Sequence, residues 1–319
     1  MRVLVTGGAG FIGSHVVDAL QAGGHEPHVV DDLSSGRPEN VAEGVPLYQV
    51  DIRDAGALEA VFEEVEPEVV DHHAAQVSVS RSVSEPDFDA QVNVQGTFNV
   101  IQAARRVGTR RIVFASSGGA IYGDTSGYVD RRADEQATAA PMSPYGVGKW
   151  MAELSLRETA EASELTCLAL RYSNVYGPRQ STRGEAGVVA AFCRDLLAGT
   201  PPTIFGDGRQ IRDFVYVDDV ARANLLAVEA TPGQSFMAVN ISCGTAVDIG
   251  GLAEVLSVLV RERTGGDPIA AILEPPRAGD IRHSLLDPSL AVDLLGWSAA
   301  VGLREGLGHT LDWLAARSC

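Results

Sequence analysis

The 319-residue chain carries 42 acidic against 25 basic side chains, for a formal net charge of −17 and a pI near 4.8. A surface of that sign excludes nucleic-acid backbones and anionic membranes as partners, since both repel it. The 45% apolar content, spread over periodic segments, describes a folded protein of one large or two intimately joined domains.

Four cysteines, Cys167, Cys193, Cys243 and Cys319, are scattered without Cys-x-x-Cys spacing or a nearby histidine pair, so neither zinc nor a disulfide framework is expected. The amino terminus enters an apolar strand directly and no run of about 18 apolar residues occurs, which makes a cytoplasmic enzyme the expectation.

Arg2 to Thr6 is a short β-branched run followed at once by Gly7-Gly8-Ala9-Gly10-Phe11-Ile12-Gly13 and an amphipathic helix from Ser14 to Ala22. Strand, glycine turn and helix in that order make a pyrophosphate site. The glycines let the backbone turn tightly and approach the phosphates, and the helix amino terminus presents free amide donors. A second strand, His28 to Val30, ends in Asp31-Asp32, 18 residues after Gly13. A carboxylate there accepts from the adenosine ribose hydroxyls and repels a 2′-phosphate, which favours NAD over NADP.

Pro46 to Val50 reads as a third strand closing on Asp51-Ile52-Arg53-Asp54, with a helix through Val65. A fourth strand begins at Val69-Val70 and runs into His72-His73-Ala74-Ala75, whose small residues let a dinucleotide cross the sheet edge. Adjacent histidines on a strand point to opposite faces, and no partner stands at ligand spacing, so no metal is expected. Pro86 to Val107 is a long helical pattern and Arg111 to Ala115 a strand, followed by Ser116-Ser117-Gly118-Gly119-Ala120-Ile121-Tyr122-Gly123. Hydroxyls at the carboxyl end of a strand stand where open α/β sheets bind ligands. Ser143-Pro144 opens a helix to Ala162, and Thr166 to Arg171 is a sixth strand leading into Tyr172 to Arg179. Six strands alternating with helices over about 175 residues indicate an α/β fold with a doubly wound parallel sheet.

Beyond residue 176 a loop rich in glycine, proline and arginine runs to Gly187. A helix over Val188 to Ala198, a strand and turn at Thr203 to Gly208, and a strand from Arg212 capped into a helix through Glu229 follow. A strand at Met237 to Ile241 and helices near Ile249 to Thr264 and Leu303 to Ala316 complete a smaller mixed domain, whose expected task is the substrate. The expected division is 1–175 and 176–319, with some later segments interleaved into the first part.

Lys149 is the single lysine beside 24 arginines. On a helix from 143 to 162, Tyr145 and Lys149 stand at i and i+4 on one face. An ammonium is a compact charge that can sit beside a titrating group, where a guanidinium would fork to planar anions. One such charge about 4 Å from a phenol, in an effective dielectric of about 20, supplies roughly the 4 kcal/mol that lowering a tyrosine from about 10 to about 7 requires. The pair is therefore a candidate proton-handling centre.

Thr6 to Gly13, Ser116-Ser117, Tyr145 with Lys149, and Arg171-Tyr172-Ser173-Asn174-Val175-Tyr176-Gly177 together resemble the extended short-chain dehydrogenases/reductases. Within them the chain is most similar to the NAD-dependent UDP-glucose (UDP-galactose) 4-epimerases. The resemblance implies a Rossmann-type sheet and an isomerase in which Tyr145 takes the proton of the sugar 4-hydroxyl while C4 gives its hydride to NAD. Lys149 then lowers the tyrosine pKa and holds the nicotinamide ribose, and Ser117 bonds the 4-oxygen, with Ser116 as the fallback. The cofactor residues it implies are Gly7, Gly10, Phe11, Ile12, Gly13, Asp31, Asp32, Ser34, Gly36, Asp51, Ile52, His73, Ala74, Ala75, Asn93 and Tyr172, besides Tyr145 and Lys149. For the UDP-sugar it implies Asn174, Val188, Phe205 at uracil, Arg212 and Arg277 at the diphosphate, and Asp280 near the uridine ribose. A homodimer through the 86–107 and 143–162 helices is the expected assembly.

Two departures bear on the sugar. Ser284 is small where a large aromatic can narrow the pocket, which leaves room for an N-acetyl group. Arg183 could fork to a C6 carboxylate, which brings in UDP-glucuronate. The alternatives are a sugar-nucleotide 4,6-dehydratase or decarboxylase, although Ser116 to Gly123 contains no acid for the elimination, and a non-catalytic NAD-binding scaffold, which would not need the serine, tyrosine and lysine that are all present.

Overall fold

The computed structural model describes residues 1–182, 187–277 and 280–317. Strands β1 (Arg2–Thr6), β2 (Glu26–Asp31), β3 (Leu47–Gln49), β4 (Val69–His72), β5 (Arg111–Ser117) and β6 (Thr166–Tyr172) alternate with helices. These are α1 (Phe11–Ala22), α2 (Ala55–Val65), α3 (Val79–Ser84), α4 (Pro86–Ala90), α5 (Thr97–Arg106), α6 (Gly118–Tyr122) and α7 (Pro144–Glu161). Then come β7 (Asn174–Tyr176), α8 (Val188–Leu197), β8 (Thr203–Phe205), β9 (Ile211–Arg212), β10 (Phe214–Tyr216), α9 (Val217–Glu229) and β11 (Phe236–Ile241). The chain continues through β12 (Val247–Asp248), α10 (Ile249–Thr264), β13 (Ile272–Glu274), α11 (Ser289–Leu295) and α12 (Leu303–Ala315).

The main sheet is parallel, in the order β11-β6-β5-β4-β1-β2-β3. Strand order reverses between β1 and β4, and there the carboxyl ends open a crevice. Beyond the six expected strands, residues 236–241 return as β11 beside β6. Both faces of the sheet are buried, which is why its strands read as continuous apolar runs. Val3, Val5, Val113, Leu168 and Leu170 face a core closed by α1 and α9, while Leu4, Val70, Ile112, Phe114 and Ala169 face one closed by α2, α5 and α7. A third core joins α8, α10 and α12 around Tyr176, Phe192 and Leu256.

The long 86–107 pattern is a helical rod with a wide π turn at Gln91–Gly96 between α4 and α5. Gly96 lets the rod close on Ile52, whose Cδ1 stands 2.5 Å from where a Cβ would be. Among the described residues no helix is long and apolar enough to cross a membrane.

A buried ion pair ties α7 to the sheet. Glu153 on α7 and Arg171 on β6 are essentially solvent-free, and Arg171 Nη2 stands 2.6 Å from Glu153 Oε2 while Nε donates to Oε1 at 3.0 Å. Arg171 Nη1 also donates to the Tyr122 hydroxyl, and Ser116 Oγ donates to Glu153. Removing one partner strands the other charge. Glu153→Ala is expected to cost about 3–5 kcal/mol, whereas Glu153→Met combined with Arg171→Met loses less than either single variant. Denaturant unfolding measures both, and a double variant weaker than the singles would contradict this account.

Candidate active site

The glycine turn lies at the carboxyl end of β1. Gly7 has φ +71°, and a Cβ there would fall 2.6 Å from the amide nitrogen of Ala74, so the turn rests directly on the His73-Ala74 backbone. A Cβ on Gly13 would collide with the Gly7 carbonyl. The first helical bond of α1 runs from the Ser14 N–H to the Gly10 carbonyl, leaving the amides of Phe11, Ile12 and Gly13 ahead of the ladder, where an anion is favoured. Asp31 ends β2 with Oδ2 accepting from the Ala9 N–H (3.0 Å) and Oδ1 from the Leu33 N–H (2.9 Å). Burial pushes its carboxyl up, opposed by those two amides. Gly36 stands so close that a Cβ would lie 2.6 Å from Asp31 Oδ1. A cradle without side chains, free helix amides and an acid at the next strand end fit an adenine dinucleotide without a 2′-phosphate.

Other expected cofactor residues are disposed differently. Asp32 is exposed and accepts from the Ser34 N–H and hydroxyl, closing a local turn. Asp51 pairs with Arg53, which holds its carboxyl below the usual range, and Ile52 is buried against the helical rod. His73 Nε2 stands 2.9 Å from Asp71 Oδ1 without an aligned hydrogen bond, and its ring stacks on Tyr172. The Tyr172 hydroxyl donates to Asn224 Oδ1. Asn93 is committed to Gln76 and Asp89. Tyr172 and Asn93 thus spend their polar atoms within the protein.

Ser143 caps α7, accepting from the Gly146 N–H, and the helix carries Tyr145 and Lys149 on its inner side. The strand alternation of β5 separates the two serines. Ser117 is the side-chain hydrogen-bond partner that favours ionisation of the Tyr145 phenol, whereas Ser116 is buried on the other side against Glu153. Ser116 therefore does not serve as a fallback for the site. Lys149 is 4% exposed, and its Nζ donates to the Ala115 carbonyl at 2.9 Å, 4.7 Å from the Phe114 centroid and 6.0 Å from that of Tyr145.

Burial outweighs every neighbouring group in setting the proton affinity of Tyr145. Burial pushes the phenol up to about 12, Ser117 opposes this and Asp89 adds to it. Burial also pulls Lys149 down to about 8, against the pull of Asp89 and Glu153. The lysine is drawn to a β5 carbonyl, so its charge is spent on its own desolvation.

Across the crevice, Phe205 at the end of β8 lies under the Arg277 guanidinium, 3.7 Å from the ring centroid. Arg212 on β9 pairs with Asp280 at 2.8 Å, and Gln210 donates to the Phe205 carbonyl. The four expected nucleotide residues thus form one cluster. Asn174 is exposed on β7 beside β10, and Val188 opens α8. Ser284 is buried, 3.2 Å from where a Cβ of Gly119 would stand. Arg183 lies outside the described residues. Sequence reasoning missed Asp89 and Glu153, which sit inside helices otherwise read for their apolar faces.

The model of the NAD dependent epimerase/dehydratase family matches residues 3–242. A UDP-glucose 4-epimerase of Mycolicibacterium smegmatis is 43% identical over 324 residues, covering 100% of both chains. The crystal structure of UDP-glucose 4-epimerase with UDP-glucose from Thermotoga maritima has a TM-score of 0.93 at 43% identity and 100% coverage of both chains. That of the Thermus thermophilus enzyme in complex with NAD has a TM-score of 0.89 at 42% identity and 98% coverage of both.

The buried lysine gives a stability signature. Its folded pKa of about 8 lies below the 10.5 of an ordinary lysine, so between those values the unfolded chain binds more protons and stability rises with pH. The cost, about 3 kcal/mol, is fully present below pH 8 and relieved by pH 10.5. Measured on the cofactor-free protein, the stability of wild type relative to Lys149→Met should rise by about that amount across this window. A pH-independent difference would show that the ammonium is not desolvated.

Proposed function

The chain belongs to the NAD dependent epimerase/dehydratase family, and on that premise we propose that it is a UDP-sugar 4-epimerase, which inverts C4 through a transient 4-keto sugar. The observation that carries this reading is the meeting of Tyr145, Ser117 and Lys149 at the carboxyl ends of β5 and α7's partner strands, between a dinucleotide cradle and an arginine-bearing pocket. Residues 1–175 carry the dinucleotide and the later segments chiefly the UDP-sugar.

Bound NAD supplies the hydride acceptor and donor, with a positive charge in its oxidised form, and is regenerated each turnover. Tyr145, as phenolate, takes the proton of the C4 hydroxyl and returns it after the ketone has turned its other face. Ser117 donates to the phenolate and then to the C4 oxygen, where negative charge develops. Lys149 adds a cation beside a phenol that burial pushes up to about 12 and that Ser117 pulls back down.

In the pocket, Phe205 offers an aromatic face to uracil, Arg212 and Arg277 offer guanidinium forks to the diphosphate, and Asp280 an acceptor to the ribose. These local cations overcome the repulsion of a chain with net charge −17. Ser284, small and buried beside Gly119, narrows the pocket less than a large aromatic would, and on that ground the reading extends to UDP-N-acetylhexosamines.

The assembly we assign is a homodimer through α7 and the 86–107 rod. Val147, Met151 and Leu154 are exposed at i, i+4 and i+7 on α7 beside Phe98 on α5, and a groove of about 550 Å³ runs between α4 and α7. An apolar stripe of that kind is suited to a second copy.

Purified protein incubated with UDP-glucose, UDP-galactose, their N-acetyl forms and UDP-glucuronate should interconvert at least one C4 pair, and no interconversion overturns the assignment. Tyr145→Phe should retain NAD while turnover falls at least about 10²-fold; near-normal turnover removes Tyr145 from the acid/base role. Light scattering should give a dimer for wild type and a monomer for Met151→Arg, and a monomeric wild type discards the pairing surface.

A further inference from the structure

Asp89 is a buried acid beside the Tyr145–Lys149 pair with no part in the mechanism above. It stands on α4, which packs on α7, and is 2% exposed. Its Oδ1 accepts from Gln76 Nε2 at 2.8 Å and from Asn93 Nδ2 at 3.0 Å. Asn93 in turn accepts from the Gln76 N–H and donates to the Gln76 carbonyl, so the carboxylate is held in one orientation by neutral groups that leave its charge intact. Oδ2 lies against the first turns of α7, 3.3 Å from where a Cβ would stand on Gly148. The missing side chain at Gly148 is what lets an acid approach the turn joining Tyr145 to Lys149.

The other groups facing this pair are already satisfied. Glu153, on α7 itself, also pulls on Lys149 but is paired with Arg171. His72, from β4, is held between the Thr6 and Thr97 hydroxyls and kept neutral by burial, its pKa pulled down to about 3. Ser117, from β5, bonds the phenol without charge. Asp89 is the carboxylate whose charge raises both members of the pair.

The geometry points to Asp89 as the counter-charge of the Tyr145–Lys149 pair, a positioning residue that keeps Lys149 an ammonium in a dry site and sets the pH window of turnover. The window rests on the 4-epimerase reading; the effect on the lysine does not. Because an acid near both groups favours the protonated form of each, neutralising it moves both in one direction. A role confined to packing would change the height of a pH profile and leave its position.

Two measurements on the holoenzyme test this. Protein grown on ¹³C-lysine carries one lysine, so its ε-carbon signal titrates Lys149 alone. In Asp89→Asn the midpoint should fall by about one pH unit relative to wild type, and Asp89→Glu, which keeps the charge, should restore it toward the wild-type value. In parallel, both limbs of the kcat/KM profile of Asp89→Asn should move to lower pH by a similar amount at unchanged NAD content. Should Asp89→Asn not fold, the neutral Asp89→Ser is titrated in its place. An unmoved lysine midpoint, or a profile that only loses height, overturns the proposal. If no UDP-sugar is turned over, the 4-epimerase reading fails while the lysine titration still decides the role of Asp89.

Discussion

Keeping an ammonium charged where water is excluded is the constraint around which this site is built. Removing a cation from water costs several kcal/mol, and Lys149 recovers part of that from a carbonyl at 2.9 Å, an aromatic face and the two acids that pull on it. The carbonyl belongs to β5, the strand that also carries Ser117. The lysine belongs to α7, which also carries Tyr145. Holding the lysine therefore holds α7 against β5, and that register decides whether phenol and hydroxyl meet. The Glu153–Arg171 pair locks the same register one turn further along α7 through Ser116, so two serines in sequence perform unlike tasks.

The sheet gives this arrangement its place. Parallel strands bring all their carboxyl ends to one edge, and the reversal between β1 and β4 opens that edge. The Gly7 turn could not lie on His73-Ala74 with any side chain present, and the contact fixes the depth of the crevice. The return of β11 beside β6 binds the later half of the chain into the same sheet, so the arginine pocket is anchored to the strand from which Arg171 projects.

What could be read from the residues was what depends on near neighbours in sequence. The strand, glycine turn and helix, Asp31 at the next strand end and the i, i+4 pairing of Tyr145 with Lys149 are local periodicities, and the structure places them as spacing required. Through-space quantities were hidden. The phenol is raised, not lowered, because burial outweighs a lysine turned toward Ala115, and that carbonyl is 34 residues away. Ser116 and Ser117 were ranked by resemblance alone, since the strand was read as ending at Ala115 and only its extension through Ser117 turns them opposite ways. Asn93 and Tyr172 spend their polar atoms on Gln76 and Asn224, partners that no spacing announces. Phe205, Arg212, Arg277 and Asp280 were gathered by resemblance, since nothing in their separate loops links them.

The solitary lysine also makes this chain an instrument for reading its own unfolding. A protease that cuts only after lysine has one target bond, between Lys149 and Trp150, inside an 18-residue helix whose lysine is buried. Fraying of the chain ends or opening of a surface loop leaves that bond protected. Cleavage then requires α7 to leave the sheet, which breaks the Lys149, Glu153 and Ser143 contacts together. Each scission therefore counts one departure of α7 from the sheet and yields two fragments of similar size.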